Sequence, residues 1–429
     1  MITSPAFKNR KFALLGLARS GLAAARSLAA GGADLLAWDN DEGARAKVTD
    51  IATIADPLDA DLTGYDGIVV SPGVPINRHP IADKAKASGI PLIGDIELFS
   101  MARPSLPPHR VIGITGTNGK STTTALVHHL LKSAALPVRM AGNIGLPILS
   151  QAPLSAGGVY VLELSSYQID ITKSLACDAA ALINLSPDHL DRYDGYEGYM
   201  ASKARLFDMQ TAKQHSVFGM GDEDTARIYQ EVLERRGAAV VHQADPSLVH
   251  GQPNWPSLQG PHNLQNVAVA IKLVQALGLT EAQWRPALAS FKGLAHRMEI
   301  VAERNGILFV NDSKATNAAS TAPALAAYPR IHWIVGGLAK SDDLDECAPN
   351  FGHVVKAYTI GEAGPLFTRL LSPHMPVEMS EMMGAAVCSA AAQAQPGDVI
   401  MLSPACASFD QFKDFEARGD AFKAIVEAL

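Results

Sequence analysis

The chain is 429 residues long, 48% hydrophobic and 18% charged, with a formal net charge of −7. At roughly 150 residues per domain, this length predicts about three domains with substantial cores. The acidic balance, without a basic cluster, excludes nucleic acid as the main partner, and no apolar run reaches the ~18 residues of a membrane helix. Cys177, Cys347, Cys388 and Cys406 stand far apart with no C-x-x-C pair, as reduced core residues would. A cytoplasmic monomer without membrane contact is the expectation.

Phe12-Ala-Leu-Leu-Gly16 reads as a strand closing on glycine, followed by a helical stretch and by two more strands, Asp34-Leu-Leu-Ala-Trp-Asp39 and Gly67-Ile-Val-Val-Ser71. This rhythm predicts a parallel sheet with crossover helices. Gly16-Leu-Ala-Arg-Ser-Gly21 has the outline of a dinucleotide turn with Ala18 in place of the second glycine, so a plain βα turn and a nicotinamide site both stay open. Asp39, at the next strand's end, is placed for a ribose or uridine-like group. Ser71-Pro-Gly-Val-Pro75 is a rigid turn at a third strand end. Met101 to His109 carries three prolines and reads as a linker.

Val111 to Thr122, V-I-G-I-T-G-T-N-G-K-S-T, then combines a strand, a glycine-rich turn and a helix start. Glycines let backbone N–H groups converge on an anion at a helix N-terminus, a lysine reaches outer phosphates, and a serine hydroxyl sits on Mg²⁺. The pattern predicts ATP binding through Gly116, Thr117, Asn118, Gly119, Lys120, Ser121 and Thr122. Val159-Tyr-Val-Leu-Glu163 is a buried-strand pattern ending in a carboxylate that needs a partner or a metal; a Mg²⁺ role is favoured. Ala179-Ala-Ala-Leu-Ile-Asn184 leads to Asp188 and His189, the latter a ligand or proton carrier. Lys203, in a stretch of helical spacing from Tyr196 to Phe207, reads by itself as a solvated helix residue. Asn263 and Asn266, one turn apart, suit either a base edge or a helix cap.

A third run begins near Met298 and includes strands at Ile307–Asp312, Ile331–Gly337, Ala357–Gly361 and Asp398–Ser403. Asn311-Asp-Ser-Lys-Ala-Thr-Asn317 crowds an acid, a base and hydroxyl or amide groups after one strand. Ala405 to Phe415 follows another, offering Ser408 and nearby N–H groups to an anion at a helix start. Cys406 has no paired histidine and reads as packing. Since ligands gather beyond the carboxyl ends of parallel strands, Gly16, Ser71, Glu163, Asn184, Asp312, Gly336 and Ser403 are the residues to watch.

Over nearly all its length the chain resembles the Mur ligases of peptidoglycan synthesis. Gly113-Ile-Thr-Gly-Thr-Asn-Gly-Lys-Ser121 is similar to the family's own phosphate-loop variant. Leu162-Glu-Leu-Ser-Ser166, Asp188-His189, His262-Asn263 and His296-Arg297 match further family motifs in order. Asn311 to Asn317 and Ser403 to Phe412 resemble the member that adds D-glutamate, and the D-N-P-[RA] signature of the diaminopimelate- or lysine-adding enzyme is absent. Asn40 and Asp41 stand where that member often has Thr-Arg.

The resemblance implies an α/β fold of three domains. These are an N-terminal Rossmann-like domain for a UDP-sugar (1–102), a central P-loop ATPase-like parallel sheet (103–297) and a C-terminal Rossmann-like domain for the amino acid (298–429). It implies ATP, two Mg²⁺ ions, and a CO₂-derived carbamate on Lys203. Ser121 and Glu163 would hold one metal, His189 and Lys203 the other, with Lys120 on the phosphates and Asn263, Asn266, Arg297 and Asp312 around ATP. UDP-N-acetylmuramoyl-L-alanine would lie on Ser20, Asp39, Ser71 and Asn143. D-Glutamate would meet Lys314, Thr316, Lys340, Ser408, Phe409 and Phe415. The implied reaction is ATP-dependent amide formation through an acyl phosphate, in cytoplasmic peptidoglycan precursor synthesis.

Overall fold

The computed structural model describes residues 1–188 and 190–429. Short aliphatic runs bounded by glycine or polar residues become strands, and the alanine- and leucine-rich stretches between them become crossover helices. The first sheet contains β1 (Lys11–Leu15), β2 (Asp34–Trp38), β3 (Thr53–Ile54), β4 (Gly67–Val70) and β5 (Leu92–Ile93), in the order β3-β2-β1-β4-β5. All its pairings are parallel, so every carboxyl end faces one side. The helix Asp95–Ala102 follows β5, and the proline-rich linker beyond it carries a 3₁₀ turn, Arg103–Ser105.

The second sheet comprises β6 (His109–Thr115), β7 (Val138–Gly142), β8 (Gly158–Glu163), β9 (Ala179–Leu182), β10 (His215–Gly219) and β11 (Val241–Ala244). Its order, β11-β10-β9-β6-β8-β7, is also parallel throughout. β6 and β8 are buried on both faces along most of their length, which is why they read as continuous apolar runs. Residue 113 must be glycine for packing rather than for phosphate: a Cβ there would stand 2.7 Å from Cys177 Sγ and 3.2 Å from Leu164 Cδ1.

The third sheet holds β12 (Glu299–Arg304), β13 (Ile307–Asn311), β14 (Ile331–Gly336), β15 (Val354–Ile360), β16 (Val377–Glu381) and β17 (Val399–Leu402), ordered β12-β13-β17-β14-β15-β16. β12 runs antiparallel to β13, and the remaining pairs are parallel. β12 and β16 are absent from the sequence reading. Both are edge strands rich in Glu and only partly buried, so they lack the apolar run that announces the inner strands.

The first two sheets belong to one compact unit, residues 1–245 with 268–285, and the third to another, residues 246–267 with 286–429. Cores are aliphatic and aromatic, with Phe12, Phe99, Tyr160 and Phe218 fully buried in the first unit and Trp333, Tyr358 and Phe422 in the second. Among the described residues no helix is long and apolar enough to cross a membrane.

Candidate active site

At the carboxyl edge of the first sheet, the turn after β1 and the helix Arg19–Ala30 approach so closely that a Cβ on Gly21 would lie 1.9 Å from the Gly16 carbonyl oxygen. Ser71, following β4, donates its hydroxyl to that same carbonyl at 2.8 Å. Asp39 holds the turn from the other side: Oδ2 accepts from the Leu17 N–H at 2.6 Å and Oδ1 from that of Asp41 at 2.9 Å. Gly16, Asp39 and Ser71 are thus brought together, with Ser20 in the first turn of the adjoining helix. Asp41 caps the helix Glu42–Ala46. Arg45 donates to the carbonyls of Asp39 and Asn40 at 2.7 and 3.2 Å, its guanidinium 4.5 Å from the centre of the Trp38 ring. A cation therefore stands beside the Asn40-Asp41 departure, supplied from a helical turn later than expected.

Beyond Ser71 and Pro72 opens a cavity of about 390 Å³, also lined by Tyr167, Arg192, Tyr193 and Arg205. Arg192 lies over the Tyr167 ring at 4.3 Å, and Tyr193 stacks against that ring at 6.1 Å. Neither aromatic was singled out from sequence, although both flank motifs that were.

In the second sheet, β6 ends at Thr115 and the helix Lys120–Ser133 starts with Gly119 as its left-handed cap, φ 81°. Asn184, at the end of β9, clasps the loop between them. Its carbonyl accepts from the Thr117 N–H at 3.0 Å, its Oδ1 from the Asn118 N–H at 2.8 Å, and its Nδ2 donates to the Asn118 carbonyl at 3.2 Å. Lys120 Nζ donates to the carbonyls of Gly116 at 2.9 Å and Thr117 at 2.7 Å, and Ser121 is buried at the helix start with Thr122 following.

Lys203, on the helix Gly195–Asp208, overturns its reading as a solvated residue: it is 1% exposed. Its Nζ donates to the Gly116 carbonyl at 2.8 Å, the oxygen that Lys120 also reaches, and lies 4.5 Å from the centre of the Tyr199 ring. Burial, reinforced by the charge of Lys120, holds its pKa well below the usual lysine value and favours a neutral amine. Sequence spacing puts Lys203 on a helix, but only the packing against the phosphate loop buries it.

Glu163 ends β8, buried. Asn143 Nδ2 donates to its Oε1 at 2.9 Å, while Oε2 is buried with no hydrogen-bond partner. An oxygen left so is costly unless a cation completes it. Asn143 therefore stands against the metal-type carboxylate, as well as being a substrate candidate. The expectation for His189 lies outside the described residues. Among the described residues, no three His, Cys, Asp or Glu side chains gather as a ready metal site.

In the second unit, Asp312 follows β13, with Oδ1 accepting from the Met298 N–H at 3.1 Å and Oδ2 from the Ser403 hydroxyl at 2.8 Å. Burial pushes its pKa up to about 7, against the opposing pull of these two bonds and of Arg297. Asn266 Nδ2 donates to Asn263 Oδ1 at 3.1 Å, and Asn263 Nδ2 to the Gln259 carbonyl at 3.0 Å. Both are buried at the start of the helix Pro261–Ala276. Lys314 Nζ lies 4.2 Å from the centre of the Phe415 ring, with Thr316 partly buried two residues on.

Ser408 is buried, whereas Phe409 is 70% exposed and Lys340 is exposed. The expected helix start at Ser408 is corrected: residues 405–414 form bends and turns around a bridge from Ala407 to Leu338, and the helix Phe415–Ala428 begins later, capped by Asp414. Cys406 is buried and its thiol is pushed up to about 12, which accords with packing. Sequence reasoning missed Arg418. This buried guanidinium donates to the carbonyls of Cys406, Ala407 and Ser313 and to the Ser313 hydroxyl, tying the 405–408 and 311–317 loops together. Its desolvation lowers its pKa to about 10. Only its position one turn into the final helix distinguishes it in sequence.

A family profile described as Mur ligase middle domain matches residues 114–246, and one described as Mur ligase, glutamate ligase domain matches residues 296–406. The chain is 69% identical over 429 residues to a UDP-N-acetylmuramoylalanine–D-glutamate ligase of Novosphingobium aromaticivorans, covering 100% of this chain and 97% of the relative. It is 44% identical to the Rhizobium meliloti protein of that name, covering 100% and 98%. Among solved structures, the MurF ligase of Thermotoga maritima in complex with ADP shares the fold, with a TM-score of 0.61 at 16% identity over 98% of this chain and 96% of that one. Phosphate loop, buried lysine, orphaned carboxylate oxygen and full-length identity agree, and the chain belongs to the UDP-N-acetylmuramoylalanine–D-glutamate ligase family of Mur ligases.

Proposed function

We propose that the protein joins D-glutamate to UDP-N-acetylmuramoyl-L-alanine at the expense of ATP, as a monomer in the cytoplasm, during peptidoglycan precursor synthesis. The proposed domains are 1–102 for the UDP-sugar, 103–297 for ATP and 298–429 for the amino acid. One juxtaposition carries the reading beyond simple nucleotide binding: the buried amine of Lys203 shares the Gly116 carbonyl with the phosphate-loop lysine. A mere ATP-binding module needs no second amine there.

The L-alanine carboxylate attacks the γ-phosphorus, the bond to ADP breaks, and an acyl phosphate forms. The amine of D-glutamate then bonds to the acyl carbon, loses a proton, and inorganic phosphate leaves. Lys120, drawn from its two loop carbonyls, holds the phosphates, and the N–H groups at the start of the helix Lys120–Ser133 line them. Asn263, Asn266, Arg297 and Asp312 serve the nucleotide. Ser20, Asp39 and Ser71 bear the sugar nucleotide, with Asn143 reaching it. Lys314, Thr316, Lys340, Ser408, Phe409 and Phe415 orient D-glutamate, so the amine is held in line with the acyl carbon.

The residues fit Mg²⁺. Ser121 and the partnerless Oε2 of Glu163 would hold one ion; a carbamate on Lys203, with His189, would hold a second. Bound there, Mg²⁺ supplies screening of phosphate charge. The unprotonated Lys203 amine would add to CO₂ and release one proton, placing an anionic ligand where an ammonium would repel Mg²⁺.

The test incubates enzyme with ATP, Mg²⁺, UDP-N-acetylmuramoyl-L-alanine and single amino acids, then weighs the product. A conjugate heavier by one glutamyl residue, formed with D-glutamate together with ADP, is expected. Preference for another acceptor, or no conjugate with any, overturns the proposal.

A further inference from the structure

The helix Asp95–Ala102, which follows the last strand of the first sheet, is buried along almost its whole length, and its Glu97 reaches residues 173–174 beyond β8 of the second. Glu97, 6% exposed, accepts three hydrogen bonds there. Its Oε2 takes the N–H groups of Lys173 at 2.7 Å and Ser174 at 2.9 Å, and its Oε1 takes the Ser174 hydroxyl at 2.7 Å. Among the described residues no lysine or arginine pairs with it, so backbone and hydroxyl dipoles alone satisfy this buried carboxylate. Removing one such partner exposes the others to the full cost of burial.

The segment Glu97 grips leads straight to the reaction centre. Glu163 ends β8, Ser165 caps the short helix Ser166–Asp170, and Lys173 and Ser174 close the segment. The helix bearing Lys203 is bonded to it at three places. Ser202 Oγ donates to the Ser166 carbonyl at 3.1 Å, and Arg205 donates to the carbonyls of Asp170 at 3.2 Å and Thr172 at 3.3 Å. Glu163 and Lys203 thus flank a single segment whose far end is anchored by a carboxylate of the first sheet's last helix.

We propose that Glu97 is a positioning residue that anchors segment 164–174 and so sets Glu163 and Lys203 in register for the metal ions. This rests on the Mg²⁺ reading of those two residues. Groups that orient metal ligands commonly change affinity by about 10–100-fold when removed.

The experiment follows Mn²⁺ binding by electron paramagnetic resonance in the presence of ADP, alongside hydrogen exchange of the free protein. Glu97→Gln should weaken Mn²⁺ about 10-fold and speed exchange across both 164–174 and 200–206. Glu97→Asp should fall between it and the parent. Glu163→Gln should abolish the Mn²⁺ site without altering exchange at 200–206. If Glu97→Gln does not fold, Ser174→Ala, which removes one of the three bonds, should show the same two effects more weakly. Unchanged Mn²⁺ affinity in a folded Glu97 or Ser174 variant, with Glu163→Gln inactive in binding, overturns the anchoring alone. Retained Mn²⁺ binding in Glu163→Gln overturns the metal reading instead, and the anchoring then stands or falls on exchange at 200–206.

Discussion

Lys203 shows how much one side chain's chemistry depends on what surrounds it. On an exposed helix face it would be a hydrated ammonium, but pressed on the Gly116 carbonyl and the Tyr199 ring beside Lys120 its pKa is held well below the usual lysine value. Lys203→Ala should lower kcat by about 10²–10³-fold, and a short carboxylic acid added to the assay should restore part of it by replacing the missing anion. Full activity in the variant, or a loss that no acid relieves, would argue against the carbamate. The glutamate counterpart is Glu163, where one oxygen is hydrogen-bonded to Asn143 and the other is buried without a partner.

At the level of elements, the turns after parallel strands carry the candidate binding groups, and their backbones leave little slack. Gly21 lies against the Gly16 carbonyl with no room for a methyl group, whereas a Cβ on nearby Gly73 would meet nothing within 4 Å. Gly21→Ala should therefore destabilise by about 1–3 kcal/mol and raise KM for the UDP-sugar, while Gly73→Ala should leave the melting temperature unchanged. Equal melting temperatures for the two variants would refute the packing argument. Arg418 does for the second unit what Asn184 does for the phosphate loop: each ties two loops through backbone groups rather than through an ion pair.

At the scale of the whole molecule, two buried carboxylates tie stability to pH. Burial raises Asp312 to about 7 and Asp95 to about 6, against an ordinary carboxylate value of about 3.9. Because the folded values lie above the unfolded one, their contribution to stability is fully present below about pH 4. It is lost as pH rises through 6 and 7. The unliganded protein should melt at a lower temperature at pH 8 than at pH 5, and Asp312→Asn should flatten that difference; an unchanged slope in the variant would contradict it. The three-sheet α/β order, the phosphate loop, Glu163 and the clustered residues 311–317 were all readable from the chain, because parallel strands buried on both faces leave continuous apolar runs and phosphate chemistry demands its residues in one short stretch. Strands β3, β5, β7, β10, β11, β12 and β16 were not read; the edge strands β12 and β16 carry half-solvated residues and no such run. Nor were the burial of Lys203, 87 residues from Gly116, and the grip of Glu97 on Ser174, 77 residues away. Local sequence determined which elements form and which chemical groups they carry; whether a charged side chain is hydrated, neutralised or harnessed was decided only when distant segments packed around it and removed the water.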